Sequence, residues 1–276
     1  MFDARQALLL SQVDTRGVGL EIGASYSPVA PKASGLNIRV ADYIGQDELR
    51  KKYQTAAGVD ISKIEPVDYV LGSRTIAEVI PERSHFDYII ASHVIEHVPD
   101  LLGFLLDCQA LLKPAGVLAL AVPDKRSCFD LLLPLSTTGQ VLQAHRNRDR
   151  QPGPGAVFDF EANRCELDGK FSWTLGSAGQ LALAGTVGHA LGMAERSGTE
   201  YIDVHIWRFV PSSFKLLVQD LISVARLELR EQAFLGTSDI EFYCFLSRLG
   251  QGPVESRTQL ALQALREQSQ VLGALQ

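Results

Sequence analysis

The 276-residue sequence is short of several features that would narrow its class. Its four cysteines, Cys108, Cys128, Cys165 and Cys244, are scattered and form no C-x-x-C pair. That excludes a disulfide-rich secreted scaffold, and the thiols are expected to stay reduced. No run of about 18 apolar residues occurs, so no membrane-spanning helix is read. The opening Met-Phe-Asp-Ala-Arg lacks a basic segment followed by an apolar run, so no secretory leader is read either. A cytoplasmic protein is the expectation. Basic surplus is missing too: 26 Lys and Arg stand against 32 Asp and Glu, for a formal net charge of -6. Such a chain lacks the positive field that neutralises many phosphates, so nucleic acid is not an expected partner. A small-molecule or glycan acceptor fits better.

What is present is a globular composition, 46% hydrophobic and 21% charged, long enough for a large core. Through residue 123, short apolar runs alternate with amphipathic segments, the pattern of a parallel sheet flanked by helices. Strands are expected at Val18 to Ile22, Leu36 to Ala41, Val67 to Leu71, Phe86 to Ala91 and Val117 to Val122. Helices are expected at Asp47 to Gln54 and Leu101 to Leu112, the second ended by a turn at Lys113 to Gly116. The last two strands are nearly unbroken apolar runs, as strands covered on both faces are. Residues 124–207 break the rhythm with Gln151-Pro152-Gly153-Pro154-Gly155 and a Gly- and Ala-rich stretch at 176–194 that is expected to be a helix. This region reads as an insertion forming a lid over the substrate. Pro211 opens a helix to Ser223, and Ala225 to Arg230 with Ile240 to Ser247 read as a final hairpin. Residues 1–250 form the expected main domain. Residues 251–276 form an amphipathic helix or linker, with Leu262, Leu265, Leu272 and Leu275 near one face.

The first strand runs into Gly19-Leu20-Glu21-Ile22-Gly23-Ala24-Ser25, and a glycine there lets backbone approach a ligand. Asp42 follows Gly23 by 19 residues, a spacing that suits a carboxylate holding ribose hydroxyls. A dinucleotide dehydrogenase fits this pattern as well. Yet a pyrophosphate needs a turn leading straight into a helix N-terminus. Here Pro28 and Pro31 interrupt that path, and Glu21 would repel a diphosphate while suiting an ammonium.

The segment Phe86-Asp87-Tyr88-Ile89-Ile90-Ala91-Ser92-His93-Val94-Ile95-Glu96-His97-Val98, continued by Leu111-Leu112-Lys113-Pro114-Ala115-Gly116, resembles the fourth-strand motif of class I S-adenosylmethionine-dependent methyltransferases. With the Gly23 turn and Asp42, the resemblance covers residues 17–123; Ala115 and Ser25 depart from the family's usual glycines. It implies a Rossmann-like, mostly parallel seven-stranded α/β sheet, with an insertion between strands 5 and 6 and a C-terminal helix. It also implies S-adenosylmethionine as cofactor. Glu21, Gly23 and Ser25 would line the methionine turn, Asp42 would hold the ribose, and Ser92 and His93 would lie beside the sulfonium. No acid stands near Gly72 and Ser73, where an adenine contact is usual.

His93-Val94-Ile95-Glu96-His97 reads H-x-x-E-H. Two imidazoles and a carboxylate are good divalent-metal ligands. The string is also that of a zinc peptidase, in which it lies inside a helix. A buried strand before it and Pro99 after it favour a strand-end turn instead. Methyltransferases of small RNA and of the ubiquinone pathway carry E-x-x-E-H at this place and bind a metal; Glu96 and His97 match that pattern. Such an ion lowers the pKa of a hydroxyl to be methylated. The plain alternative is that Glu96 and His97 cap the turn.

Tyr201-Ile202-Asp203-Val204-His205-Ile206-Trp207 alternates polar and apolar residues. Extended, it would put Tyr201, Asp203, His205 and Trp207 on one face. Asp203 would then orient His205 as a general base, with His97 the other candidate, or either Asp203 or His205 would complete a metal site, and Trp207 would suit a sugar ring; the plain alternative is a half-exposed edge strand. Lys125 and Arg126, past the fifth strand, are placed to attract an anionic group on the acceptor, or are a solvated loop. The strings P-D-K-R-x-x-F-D at 123–130 and Y-I-D-V-H-x-W resemble a bacterial subgroup associated with surface-polysaccharide loci. That implies O-methylation of a sugar or glycan hydroxyl. The alternatives are an NAD-dependent oxidoreductase, an HxxEH zinc hydrolase, and a non-catalytic cofactor-binding module recruiting a glycosyltransferase. The C-terminal helix is the expected contact for a homodimer or a glycosyltransferase domain.

Overall fold

The computed structural model describes residues 2–271. Seven strands form one sheet: β1 (Gly19–Ile22), β2 (Ile38–Asp42), β3 (Tyr69–Val70), β4 (Phe86–Ser92), β5 (Leu112–Pro123), β8 (Arg230–Ser238) and β9 (Glu241–Ser247). Their order is β3-β2-β1-β4-β5-β9-β8. The first five pair in parallel; β9 runs antiparallel between β5 and β8. This is the expected Rossmann-like methyltransferase architecture. It differs from the all-parallel 3-2-1-4-5-6 sheet of dinucleotide dehydrogenases at the β9–β8 hairpin.

Alternation along β4 explains the layers. Ile89 and Ala91 face one core and Tyr88 and Ile90 the other, all fully buried. The larger core is closed by α4 (Leu101–Leu111), α5 (Thr138–Asn147) and α8 (Pro211–Val224), through Leu105, Val141 and Phe214. The opposite core is closed by α1 (Ala4–Leu10) through Leu9 and Leu10, together with Val29 and Ala30. The remaining helix flanking β2 is α2 (Gln46–Tyr53), with α3 (Ile76–Val79) before β4. Asp100 caps α4 with its carboxylate on the Gly103 N–H at 2.8 Å. The expected turn at Lys113 to Gly116 is a bulge inside β5, since Phe86 pairs with Leu112 and Tyr88 with Val117.

The insertion contains α5, α6 (Pro154–Asn163), a two-stranded ribbon of β6 (Cys165–Leu167) and β7 (Leu181–Leu183), and α7 (Val187–Arg196). The helix expected over 176–194 is thus only α7, because 181–183 pairs with β6 instead. The segment 201–207 joins no sheet; its Ile206 and Trp207 N–H groups donate to the Glu96 carbonyl at 2.7 and 3.2 Å. The strand expected at 225–230 begins only at Arg230. Leu227 and Leu229 are buried for another reason: they carry the chain from α8 down into the large core. The edge strand β8 alternates exposed and half-buried residues, so hydropathy marks it weakly.

The C-terminal helix α9 (Arg257–Ser269) packs on α8, with Ser212 Oγ donating to Glu267 at 2.7 Å and Arg257 paired to Asp220 at 2.8 Å. Its inner face is Leu260 and Ala264, whereas Leu262 and Leu265 are exposed. The face expected from leucine spacing is therefore the outer one; Leu272 and Leu275 lie outside the described residues. Among the described residues no helix is long and apolar enough to cross a membrane.

Asp124, at the end of β5, is fully buried and forms a two-pronged pair with buried Arg126 at 2.9 and 2.5 Å. Arg126 also reaches Gln270 beyond α9 at 3.0 Å. Removing one partner of such a pair leaves the other charge buried. Asp124→Ala is therefore expected to lower stability by about 3–5 kcal/mol in urea unfolding. A loss within experimental error would remove this pair from the account.

Candidate functional site

The carboxyl ends of β1, β2 and β4 meet at one edge of the sheet. Gly23 turns there at φ 70°, and a Cβ on it would lie 2.6 Å from Val94 Cγ2. Only glycine suits that position. Asp42, at the end of β2, accepts from the Ser25 N–H at 3.1 Å and the Tyr43 N–H at 2.7 Å. Both its oxygens keep a further lone pair. The Ser25 hydroxyl beside it is buried without a partner. A bare glycine turn, an acid with acceptor capacity and an orphaned hydroxyl fit the edge of an adenosyl group.

Glu21 is used differently from the expectation. It is 2% exposed, and its two oxygens accept from the Val29 and Ala30 N–H groups at 2.6 and 2.8 Å. The carboxylate therefore holds the loop under the turn and does not open onto a ligand ammonium. Ser92 and His93 are also engaged. Ser92 Oγ accepts from Arg5 of α1 in a short contact, and His93 Nε2 lies 2.6 Å from Glu241 Oε2. Glu241 in turn accepts from Arg5 at 2.6 and 2.9 Å and from the Tyr243 hydroxyl at 2.6 Å. Burial would raise its carboxyl, but His93 and Arg5 hold it down, at about 2. Arg5 and Glu241 escaped the sequence reading because their partners lie 236 residues apart.

A second cluster of candidate residues lies past β4. The string 93–97 is no α-helix: a 3-10 turn spans Ile95–His97, and His93 sits at φ 53°. A peptidase helix is thereby ruled out for this string. The turn aims Glu96 inward. Its side chain is 1% exposed, and neither carboxylate oxygen has a hydrogen-bond partner. The cap role considered for Glu96 is not what the geometry shows. His97 Nε2 and His205 Nε2 each stand 4.0 Å from Glu96 Oε1. The ligand atoms of the three residues all lie within 4.8 Å of one another.

The far nitrogen of each imidazole meets a carboxylate. His97 Nδ1 is 2.9 Å from Asp203 Oδ1, and His205 Nδ1 is 2.5 Å from Asp130 Oδ2. Asp203 thus sits on His97, whereas the sequence reading put it on His205. Asp130 was missed as a functional residue, although it closes the string at 123–130. The Asp130 hydrogen bond on His205 Nδ1 keeps the proton there and leaves the Nε2 lone pair free, the arrangement that supports metal-ligating histidines, while Asp203 stands as a charge beside His97 Nδ1. The donor set of two imidazoles and a carboxylate suits a divalent transition-series ion. Burial pushes the His97 pKa down, but Asp203, Glu96 and Asp130 outweigh it and the net direction is up. Burial likewise would raise Asp203, but His97 and Lys52 hold its carboxyl down at about 2.

Trp207 does not join this group. It is 4% exposed in the large core, with its indole N–H donating to the Val98 carbonyl at 2.6 Å. The expected shared face of 201–207 is corrected accordingly, because the segment is not a regular strand. Lys125 and Arg126 are buried and form no solvated loop.

A methyltransferase-domain family model matches residues 3–166 of the chain. A ubiquinone biosynthesis O-methyltransferase of Rhodopseudomonas palustris (strain HaA2) is 45% identical over 60 residues, 22% of this chain and 22% of that one. One from Bradyrhizobium sp. (strain ORS 278) is 41% identical over 51 residues, 18% of this chain and 20% of that one. The matched stretch thus spans about a fifth of the curated relatives' length. Among solved structures, a Rhodobacter sphaeroides protein provisionally described as a Zn-dependent alcohol dehydrogenase shares 14% identity, covers 90% of this chain and 91% of its own, and has a TM-score of 0.48. That likeness is too low to carry an argument.

Burial pushes Glu21 up to about 7. Its folded pKa thus stands above its unfolded value, so the fold favours the protonated acid. The contribution is full below about pH 4.5 and is lost as pH rises through about 7, on the order of 3 kcal/mol in all. Urea unfolding of chelated protein at pH 5 and pH 8 should show wild type losing more stability than Glu21→Gln across that interval. Equal losses would contradict the assignment.

Proposed function

Because the chain belongs to the methyltransferase-domain family, we propose that it transfers the methyl group of S-adenosylmethionine to a hydroxyl oxygen, with Glu96, His97 and His205 holding a divalent ion at the acceptor. The observation that carries this reading is the buried Glu96 carboxylate, orphaned at 4.0 Å from two Nε2 atoms. A buried carboxylate without a hydrogen bond is costly, and an ion between these three donors removes the cost. In that role the ion lowers the pKa of a coordinated hydroxyl.

The protein's own residues do the rest. Gly23, Ser25 and Asp42 seat the adenosyl half of the methyl donor at the ends of β1 and β2. Asp130 fixes the His205 tautomer, and Asp203 stands beside His97. His97 and His205 act as ligands, rather than as the bases that the sequence pattern suggested. The strap 201–207 excludes water by lying across the Glu96 turn, hung on its carbonyl. Alignment of the hydroxyl with the methyl–sulfur bond supplies much of the acceleration.

The acceptor in this reading carries neighbouring oxygens, since one ion can then grip two of them. A sugar or glycan hydroxyl has that character, and so does a catechol such as a quinone precursor. The sugar is our choice, on the likeness of the 123–130 and 201–207 strings to the polysaccharide-associated subgroup. The relatives matched over short stretches, ubiquinone biosynthesis O-methyltransferases, favour the second class.

The test is methyl transfer from S-adenosylmethionine to a panel of monosaccharides, uronates and catechols, with and without chelator. Transfer to a vicinal-oxygen acceptor, lost with chelator and restored by Mn2+, is expected. Full transfer under chelator would overturn the metal role, and no transfer to any hydroxyl would overturn the reaction class. Independently, Asp130→Asn should weaken divalent-ion affinity about 10- to 100-fold by calorimetry while sinefungin or S-adenosylhomocysteine binding stays near wild type. Unchanged ion affinity would remove Asp130 from this role.

A further inference from the structure

We propose that Lys125 and Arg208 form an anion subsite behind His205, and that the acceptor therefore carries a carboxylate or phosphate near the hydroxyl it presents. The inference rests on the hydroxyl-acceptor reading above.

Both cations are inside the protein: Lys125 is 4% exposed and Arg208 7%. Each has one hydrogen bond, and in each case to a backbone carbonyl. Lys125 Nζ donates to Leu131 at 2.6 Å, and Arg208 Nη1 donates to His205 at 3.1 Å. The Arg208 Nε–H is buried with no acceptor. Among the described residues neither cation has an ion-pair partner, whereas the adjacent Arg126 has Asp124. An ammonium and a guanidinium taken from water without a counter-ion are costly.

The two cations lie close enough to repel each other, and both feel the charge of Asp130. Burial pushes each below its ordinary pKa; Asp130 opposes in both, joined by Asp124 at Lys125 and Asp159 at Arg208. Asp130 cannot serve as a full counter-ion, because its Oδ2 is committed to His205 Nδ1 at 2.5 Å. Its Oδ1 is buried without a partner. Neither cation meets a carboxylate within ion-pair distance among the described residues, and the acid that acts on both, Asp130, is already engaged with an imidazole. A planar guanidinium with a free N–H suits a two-oxygen anion.

The place of this surplus charge decides what it recognises. Arg208 is bonded to the backbone of His205, whose Nε2 faces Glu96 Oε1 at 4.0 Å. Arg208 is therefore tied to the backbone of the residue whose imidazole faces Glu96, and Asp130, which acts on both cations, holds that imidazole from its other nitrogen. Phe129 and Phe160 pack against the same imidazole, with ring centroids 4.7 and 6.0 Å away. They wall the region with apolar surface, which strengthens the attraction for an anion. A uronate or a sugar phosphate meets all of these groups at once; a neutral sugar meets only the hydroxyl-binding part.

The experiment is calorimetric titration of chelated full-length protein, holding S-adenosylhomocysteine, with glucuronate, glucose 6-phosphate and glucose. Wild type should bind at least one of the charged sugars tenfold or more tighter than glucose, and their ranking tells carboxylate from phosphate. Arg208→Gln and Lys125→Met should each abolish that preference. Their melting temperatures should match or exceed wild type, and the charged sugar should raise only the wild-type value. The proposal is overturned if the three sugars bind wild type alike or not at all, or if the preference persists in a folded variant. It is equally overturned if both variants melt well below wild type or fail to fold, since the cations would then be internal counter-ions. Methyl transfer is not read here, so failure of the O-methylation reading shows in the acceptor panel and failure of the subsite shows in this titration.

Discussion

The carboxylate of Glu96, closed in the interior with no hydrogen bond to either oxygen, is the constraint around which the candidate metal cluster is built. A group like that persists only where something opposite in charge completes it. Three separate segments build its surroundings. The 3-10 turn after β4 supplies Glu96 and His97. The stretch beyond β5 supplies Asp130. The strap after α7 supplies Asp203 and His205, and it is anchored on the Glu96 backbone carbonyl. Each imidazole has its own carboxylate behind it. This mutual dependence explains why an insertion of some eighty residues between β5 and α8 belongs to the site and is not an appendage.

The two halves of the site are tied together by the same strap. Tyr201 stacks on Tyr43, the residue after Asp42, with ring centroids 4.8 Å apart. Asp203 lies between His97 and Lys52 of α2. The strap thus touches the Asp42 side through β2 and α2, and the Glu96 cluster through the imidazoles. On the other flank, Arg5 and Glu241 fix Ser92 and His93 between α1 and β9. The loop carrying the Glu96 turn is consequently held from both ends. Preorganisation of this kind is what transfer between two aligned reactants requires.

Much of this was legible before any coordinates. The buried runs at 86–92 and 117–123 and the Gly23–Asp42 spacing follow from local chemistry, and so the parallel half of the sheet could be read directly. The cluster Glu96, His97, His205 was visible as residue types, because two segments each carried metal-suited side chains. Pairing was not visible. Asp203 and Asp130 exchange the partners that adjacency suggests, since 201–207 is not a strand and Cβ alternation does not hold in it. Trp207 looked like a surface aromatic but fills the core. Edge strand β8 has too few apolar residues to signal itself, and α9 hides its contact face because its one buried leucine, Leu260, is outnumbered by the exposed Leu262 and Leu265. In each case a long-range contact decided what a local pattern left open.

The account stands most directly on an ion bound by Glu96, His97 and His205. Crystals grown with Mn2+ and recorded at a wavelength with strong manganese anomalous scattering measure that. One anomalous peak per chain, between the two Nε2 atoms and the Glu96 carboxylate, is the predicted result. Density for the three side chains with no peak among them, at Mn2+ concentrations that saturate other sites, would contradict it.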